Sequence, residues 1–147
     1  MPANTDPIYS LTGLFASIPV TAANTSSQGG GTIATDIFLV FTAGSNGNFV
    51  REVRWVLGES TIATASTATV GRLFLSTQSS GATTSANTHL LQEVALGSQT
   101  PSSTLAGVPI IIPLNIIVPS GYSLLATNHA APAANTHWKA MAFGGAY

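Results

Sequence analysis

Apolar residues recur at every second position through most of the chain, the period of a strand with one face turned inward. From Ile33 to Thr42, the residues Ile33, Ile37, Leu39 and Phe41 share one parity; the other holds Asp36 and Thr42 but also Phe38 and Val40. That pattern predicts a strand covered on both faces. Gly44 to Asn48 has the composition of a turn, with Asn46-Gly47 as its strongest dipeptide. In Phe49 to Leu57, the residues Phe49, Val53, Trp55 and Leu57 share a face with Arg51, and Glu52 and Arg54 lie opposite, on the solvent or partner side. Further strands are predicted over Thr69–Thr77, His89–Leu96, Val108–Val118, Tyr122–Thr127 and His137–Phe143, separated by Gly/Ser/Thr-rich loops. In Val108–Val118 the even positions are all apolar, while Pro109 and Pro113, with Pro119 just beyond, occupy the other parity. A proline cannot donate to a ladder, so part of this strand is expected at an edge or bulge.

About seven or eight short strands with turn signals between them are the pattern of an all-β sandwich or barrel. Helix formers are scarce, and no period of a solenoid or propeller repeats. The first 30 residues read differently: an apolar stretch from Ile8 to Val20, then polar Thr21 to Gly31 ending in three glycines. Residues 1–30 are expected to be an extended arm and a Gly-rich hinge, able to lie against a neighbour or against their own sheet, and residues 31–147 the sandwich domain.

Composition narrows the function. The 147 residues carry four Lys+Arg and five Asp+Glu, net −1, so only 6 % are charged, against about 25 % in ordinary domains. So few cations leave no basic groove for phosphates, and no nucleic-acid partner is expected. A mean hydropathy of +0.37 excludes highly charged disorder. Without cysteine there is no disulfide, thiolate metal site or thiol nucleophile. The N-terminus lacks the basic and apolar regions of a secretory signal, and Val108–Val118 is too short for a membrane helix, so no membrane partner is expected. Roughly a quarter of the chain is Ser or Thr, which hydrates a β surface without charge. A monomer with so little charge lacks the usual device for solubility, which favours a surface covered by identical neighbours.

Candidate chemistry is thin. Glu52 and Glu59 lie near opposite ends of one strand, too far apart for a general acid–base pair. His129 and His137 have no carboxylate nearby in sequence, and with His89 they read as loop or edge residues rather than metal ligands. No nucleophile elbow, zinc-protease motif or P-loop occurs, so no catalytic residue, metal or cofactor is expected. Arg72 with Glu93 or Glu52 would form a half-buried bridge that fixes register, and an ion pair between subunits is the alternative. The residues expected at contacts are Ile8, Tyr9, Leu11, Leu14 and Phe15 of the arm, with Arg51, Arg54, Tyr122 and Trp138. Tyr147, at the chain end, belongs with these aromatics.

Several phrases resemble small virion proteins of tailed bacteriophages. They are Ala3-Asn-Thr-Asp-Pro-Ile-Tyr-Ser-Leu-Thr12, Thr42-Ala-Gly-Ser-Asn-Gly47, Val70-Gly-Arg-Leu-Phe-Leu75, Val118-Pro-Ser-Gly-Tyr-Ser-Leu-Leu-Ala126, Thr127-Asn-His129 and Phe143-Gly-Gly145. The resemblance implies a jelly-roll-like β-sandwich of about eight strands with an N-terminal arm. It further implies a non-enzymatic decoration (cement) protein, made in the host cytoplasm and carried on the capsid surface of the virion. Its partners would be the major capsid protein and its own copies, as a homotrimer. The longer Ser/Thr-rich middle, Thr61–Thr69 and Gln78–Thr88, departs from that pattern. The competing expectation is a sugar- or receptor-binding knob of a head or tail fibre, for which Trp138 with Asn135 and Tyr122 with Asn128 are the available aromatic–amide pairs.

Overall fold

The computed structural model describes residues 12–59, 64–102, 104 and 106–146. Among the described residues ten strands follow one another: β1 Thr12–Val20, β2 Gly31–Thr32, β3 Phe38–Thr42, β4 Asn48–Glu59, β5 Thr69–Ser76, β6 Ala82–Thr83, β7 Thr88–Leu96, β8 Ile110–Val118, β9 Ser123–Asn128 and β10 Thr136–Ala146. They form a four-stranded sheet in the order β1-β10-β4-β8, a second in the order β3-β9-β5-β7, and a small ladder of β2 with β6. Every pair in these sheets is antiparallel. The protein is all-β, and the two large sheets share one core, an arrangement consistent with a β-sandwich. Among the eight long strands the first pairs with the last, the second with the seventh, the third with the sixth and the fourth with the fifth.

The core exists because each sheet turns one parity inward. Val53, Trp55, Trp138 and Ala140 of the first sheet meet Phe38, Leu73, Leu124 and Ala126 of the second. Both tryptophans are essentially sealed, Trp55 at 0 % and Trp138 at 1 % exposure. Trp55 fits because its neighbours are small. Ala140 is its partner in β10, and a Cβ on Gly71 of the other sheet would come within 3.0 Å of the indole. Truncating a core tryptophan to alanine costs about 3–5 kcal/mol.

The outer face of the second sheet is covered in part by the chain itself, over β3, β9 and β5, while Leu90 of β7 stays 41 % exposed. Leu125 and Phe74 point away from the main core and pack with Ile33, Ile37 and Leu39 in a separate apolar cluster. The polypeptide from Thr21 to Ile37 forms this cover and is fastened by side chains. Asn24 donates its backbone N–H to the Asn128 carbonyl at 2.7 Å and its amide to Gly30 O and Asp36 Oδ2; Asp36 Oδ1 accepts the Thr32 N–H at 2.6 Å. The glycines expected as a hinge are packed in place. Gly29 has φ +77°, and a Cβ there would strike Thr88; one on Gly31 would strike Asn24 and Asp36.

Several local expectations shift. The strand expected from Ile33 begins at Phe38, because residues 33–37 fold into a tight turn in which Ala34 donates to the Ile37 carbonyl and takes φ 71°. Of the segment expected as an arm, residues 12–20 lie against the domain's own sheet as β1, paired with β10 from Thr12↔Ala146 to Val20↔Trp138. Arg51 does not share the inward face of Trp55. The β4–β10 register slips between Phe143 and Gly144, so Arg51 is an extra residue and Val50, Val53 and Trp55 all point inward. Pro113 lies in β8, an edge strand whose register with β4 also slips beside it.

Arg72 holds register in the second sheet. It stands directly opposite Glu93, with Nε donating to Glu93 Oε1 at 2.6 Å. Nη1 donates to the Asn24 carbonyl at 3.2 Å, and Nη2 lies 3.2 Å from His129 Nδ1. Arginine only donates, so His129 presents Nδ1 as an acceptor. The arginine side chain is 8 % exposed and the glutamate 45 %, which makes the pair asymmetric. Removing Glu93 strands a buried cation, whereas removing Arg72 leaves a carboxylate that water can reach. Glu93→Gln is therefore expected to cost about 1–3 kcal/mol. The double variant Arg72→Met/Glu93→Gln should cost less than the sum of the two single changes, by urea unfolding in a double-mutant cycle.

Candidate docking face

Among the described residues, none forms such a cover over the outer face of the first sheet. Residues of β10, β4, β1 and β8 that alternate with the core positions form cross-strand rows on it. One row runs Phe15–Phe143–Glu52–Pro113 and the next Ser17–Met141–Arg54–Ile111. Three of the exposed large apolar side chains stand on this sheet: Phe15 at 61 %, Ile111 at 50 % and Ile117 at 62 %. Exposed apolar area of this kind, collected on one face, marks interaction surfaces.

A polar strip crosses the same face. Phe15 and Phe143 stack with centroids 5.3 Å apart and planes tilted by 54°. The Arg54 guanidinium lies 4.8 Å from the Phe143 centroid, a cation–π contact worth about 0.5–1 kcal/mol at an exposed site. Its Nε and Nη2 both reach Glu52 Oε1 at 2.6 Å, with Arg51 Nη2 at 3.6 Å from the same oxygen. The Arg54 hydrogen bond is the main cause that holds the Glu52 carboxyl below its ordinary value of 4.5; burial opposes it, and the two guanidinium charges reinforce it. Beside Arg51, a hollow of about 330 Å³ is lined by Leu14, Phe49, Phe143, Gly144 and Gly145. Further along β10, burial and then the Lys139 charge push His137 below its ordinary 6.5.

Of the residues expected at contacts, Phe15, Arg51 and Arg54 come together here. Leu14, on the opposite parity of β1, packs partly buried against the core. Tyr122 is half-buried against that core as well. Trp138, expected at the surface, is a core residue because β10 turns its even positions inward. Ile8, Tyr9, Leu11 and Tyr147 lie outside the described residues. Of the two aromatic–amide pairs, Trp138 is sealed and Asn128 is at 0 % exposure, while Tyr122 and Asn135 reach the surface. The residues that sequence reasoning missed are Phe143, Met141, Lys139, Ile111 and Ile117. The alternation of Lys139, Met141 and Phe143 against Trp138, Ala140 and Ala142 was the signal that points them outward.

Elsewhere, an apolar hollow of about 430 Å³ lies between the end of β1, β3 and the cover, lined by Ile18, Pro19, Ile33 and Phe38 among others. Among the described residues no three His, Asp or Glu side chains gather as metal ligands would. Comparison with protein-family models, with curated proteins and with solved structures gave no match.

The face also sets a pH dependence. A group whose pKa is lower in the folded than in the unfolded chain binds its proton less well when folded, so it contributes stability at high pH and loses it on acidification. For His137 that loss begins as the pH falls through 6.5, and for Glu52 as it falls through 4.5. Urea midpoints measured from about pH 7 to about pH 3 should decline, and Glu52→Gln should flatten the decline below 4.5 while leaving the upper part unchanged.

Proposed function

We propose that the protein is a non-enzymatic structural component of a bacteriophage virion, a decoration protein that binds the head shell as a symmetric oligomer and stabilises it, and that its two sheets form a jelly roll. The pairing of first with last, second with seventh, third with sixth and fourth with fifth strand supports the jelly-roll reading. It is the order produced by rolling one long antiparallel ribbon into two sheets, and such folds serve in viral capsids. The resemblance of several phrases to small phage virion proteins supports the location, with the shell's major capsid protein as partner.

The observation that carries the function is the bare outer face of β1, β10, β4 and β8. A chain with 6 % charged residues places exposed Phe15, Ile111 and Ile117 on that sheet, and a lattice suits a protein that relies on neighbours to cover such area. Many copies attach through contacts that are individually weak, because a symmetric assembly multiplies them.

Native mass spectrometry of the isolated protein is expected to show a symmetric oligomer, and electron micrographs of particles with and without the protein should differ in density on the shell. Because binding at 100 times the dissociation constant adds about 2.7 kcal/mol to the bound state, shells carrying it should withstand higher temperature than bare ones. A strict monomer at high concentration, with bare and decorated particles equally stable, would overturn the proposal.

A further inference from the structure

The charges of this molecule are not scattered. Arg51, Arg54 and Lys139 are three of the chain's four basic residues, and all three stand on the outer face of the β1-β10-β4-β8 sheet. Among the described side chains of that face, Glu52 is the one carboxylate, leaving a surplus of two positive charges amid exposed Phe15, Ile111 and Ile117. Among the described side chains, the opposite side of the molecule carries Asp36 and Glu93 against Arg72, and both carboxylates already have partners within the chain. Asp36 holds the Thr32 N–H and the Asn24 amide, and Glu93 holds Arg72.

We infer that the outer face of this sheet docks an acidic, partly apolar surface of a different protein, rather than a second copy of this chain. Two copies placed face to face would oppose like charges, which costs affinity and slows encounter. Two copies packed head to tail would set the cations against carboxylates already committed to the cover and to Arg72. A partner that supplies carboxylates of its own satisfies Arg51 and Lys139, while its apolar groups cover Phe15, Ile111 and Ile117. The inference deepens the virion reading by giving the chemistry of the shell surface that this face meets. It rests on that reading only for the partner's identity. The contacts that build the oligomer then lie on other parts of the molecule.

The test uses a fluorescein-labelled random copolymer of glutamate and tyrosine, which presents carboxylates and aromatic rings on a polypeptide. Its anisotropy is followed on titration with the full-length protein at ionic strengths of about 0.01 M and about 0.15 M, where the Debye length falls from ~30 Å to ~8 Å. Saturable binding is expected, weaker at the higher salt. It should weaken at least about tenfold in Arg51→Glu/Lys139→Glu, and at both salts in Phe15→Ser, with circular dichroism verifying that each variant is folded. Equal binding by wild type and both folded variants would overturn the inference. So would tighter binding to duplex DNA or to phosphatidylglycerol vesicles than to the copolymer. A wild-type oligomer that Arg51→Glu/Lys139→Glu dissociates in sedimentation would overturn it too, by showing that the occupant is a second copy. The copolymer result is independent of whether particles are decorated. Particles that carry the protein but cross-link through another face would remove this inference and leave the virion reading standing.

Discussion

A sheet has two faces, and each must be buried, hydrated or given to a partner. Two four-stranded sheets present four faces, and this chain buries two of them fully and a third in part. The inner two close on each other around Trp55 and Trp138, which the small residues Gly71 and Ala140 make possible. The third lies in part under the polypeptide from Thr21 to Ile37, with Ile33 and Ile37 filling the apolar part and Asn24 and Asp36 the polar part. The fourth, across β1, β10, β4 and β8, has none of the described residues laid over it. Its rows of Phe15, Phe143, Met141 and Ile111 are consistent with a surface selected for contact rather than for hydration.

Scarce charge makes each charged group informative. Arg72 is spent inside: it joins β5 to β7 through Glu93, reaches the cover at Asn24 and holds His129 at the end of β9, so a single guanidinium ties together elements far apart in sequence. Such a group specifies register more than it adds stability, because desolvating a cation offsets much of what its contacts return. Arg54 and Glu52, two residues apart on β4, pair along the open face in water, where the pair joins no separate elements, is worth little by itself and has orientation as its consequence. The Phe143 ring beneath Arg54 fixes where that orientation points.

The alternating segments were legible because strand periodicity survives in sequence wherever one face is buried. The edge position of β8 followed from Pro113, and the Arg72–Glu93 pair was one of the partnerships that parity allowed. What was not legible has physical causes. The slip at Arg51 inverts the phase of β4 midway, and no local residue announces it, since the extra residue is set by pairing with β10. Trp138, one residue into the expected strand His137–Phe143 and beside a loop, was expected at contacts, but β10 starts at Thr136 and sends its even positions inward. In β1, Leu14, Ala16, Ile18 and Val20 do alternate, but Phe15 and Pro19 on the other parity blur the pattern. Residues 33–37 carry strand-like apolar spacing for another reason: Ile33 and Ile37 close a turn over Phe74 and Leu125.

Edges decide how a protein of this type associates, since an open strand invites a neighbour's backbone. Each of the four edges here is blunted. β1 carries Pro19, whose nitrogen has no proton to donate. β8 carries Pro113 and slips register beside Asn115, which takes φ 50°. β3 is five residues long with a register shift between Leu39 and Phe41, and β7 shifts opposite Leu73 and Phe74 and carries Glu93. A straight ladder with another chain is therefore disfavoured on every side, and backbone pairing gives way to side-chain contact. Side-chain contact needs a broad surface with apolar area to bury and a few charges to fix orientation. The open face of the first sheet has both, and its surplus of cations favours a partner that brings the carboxylates.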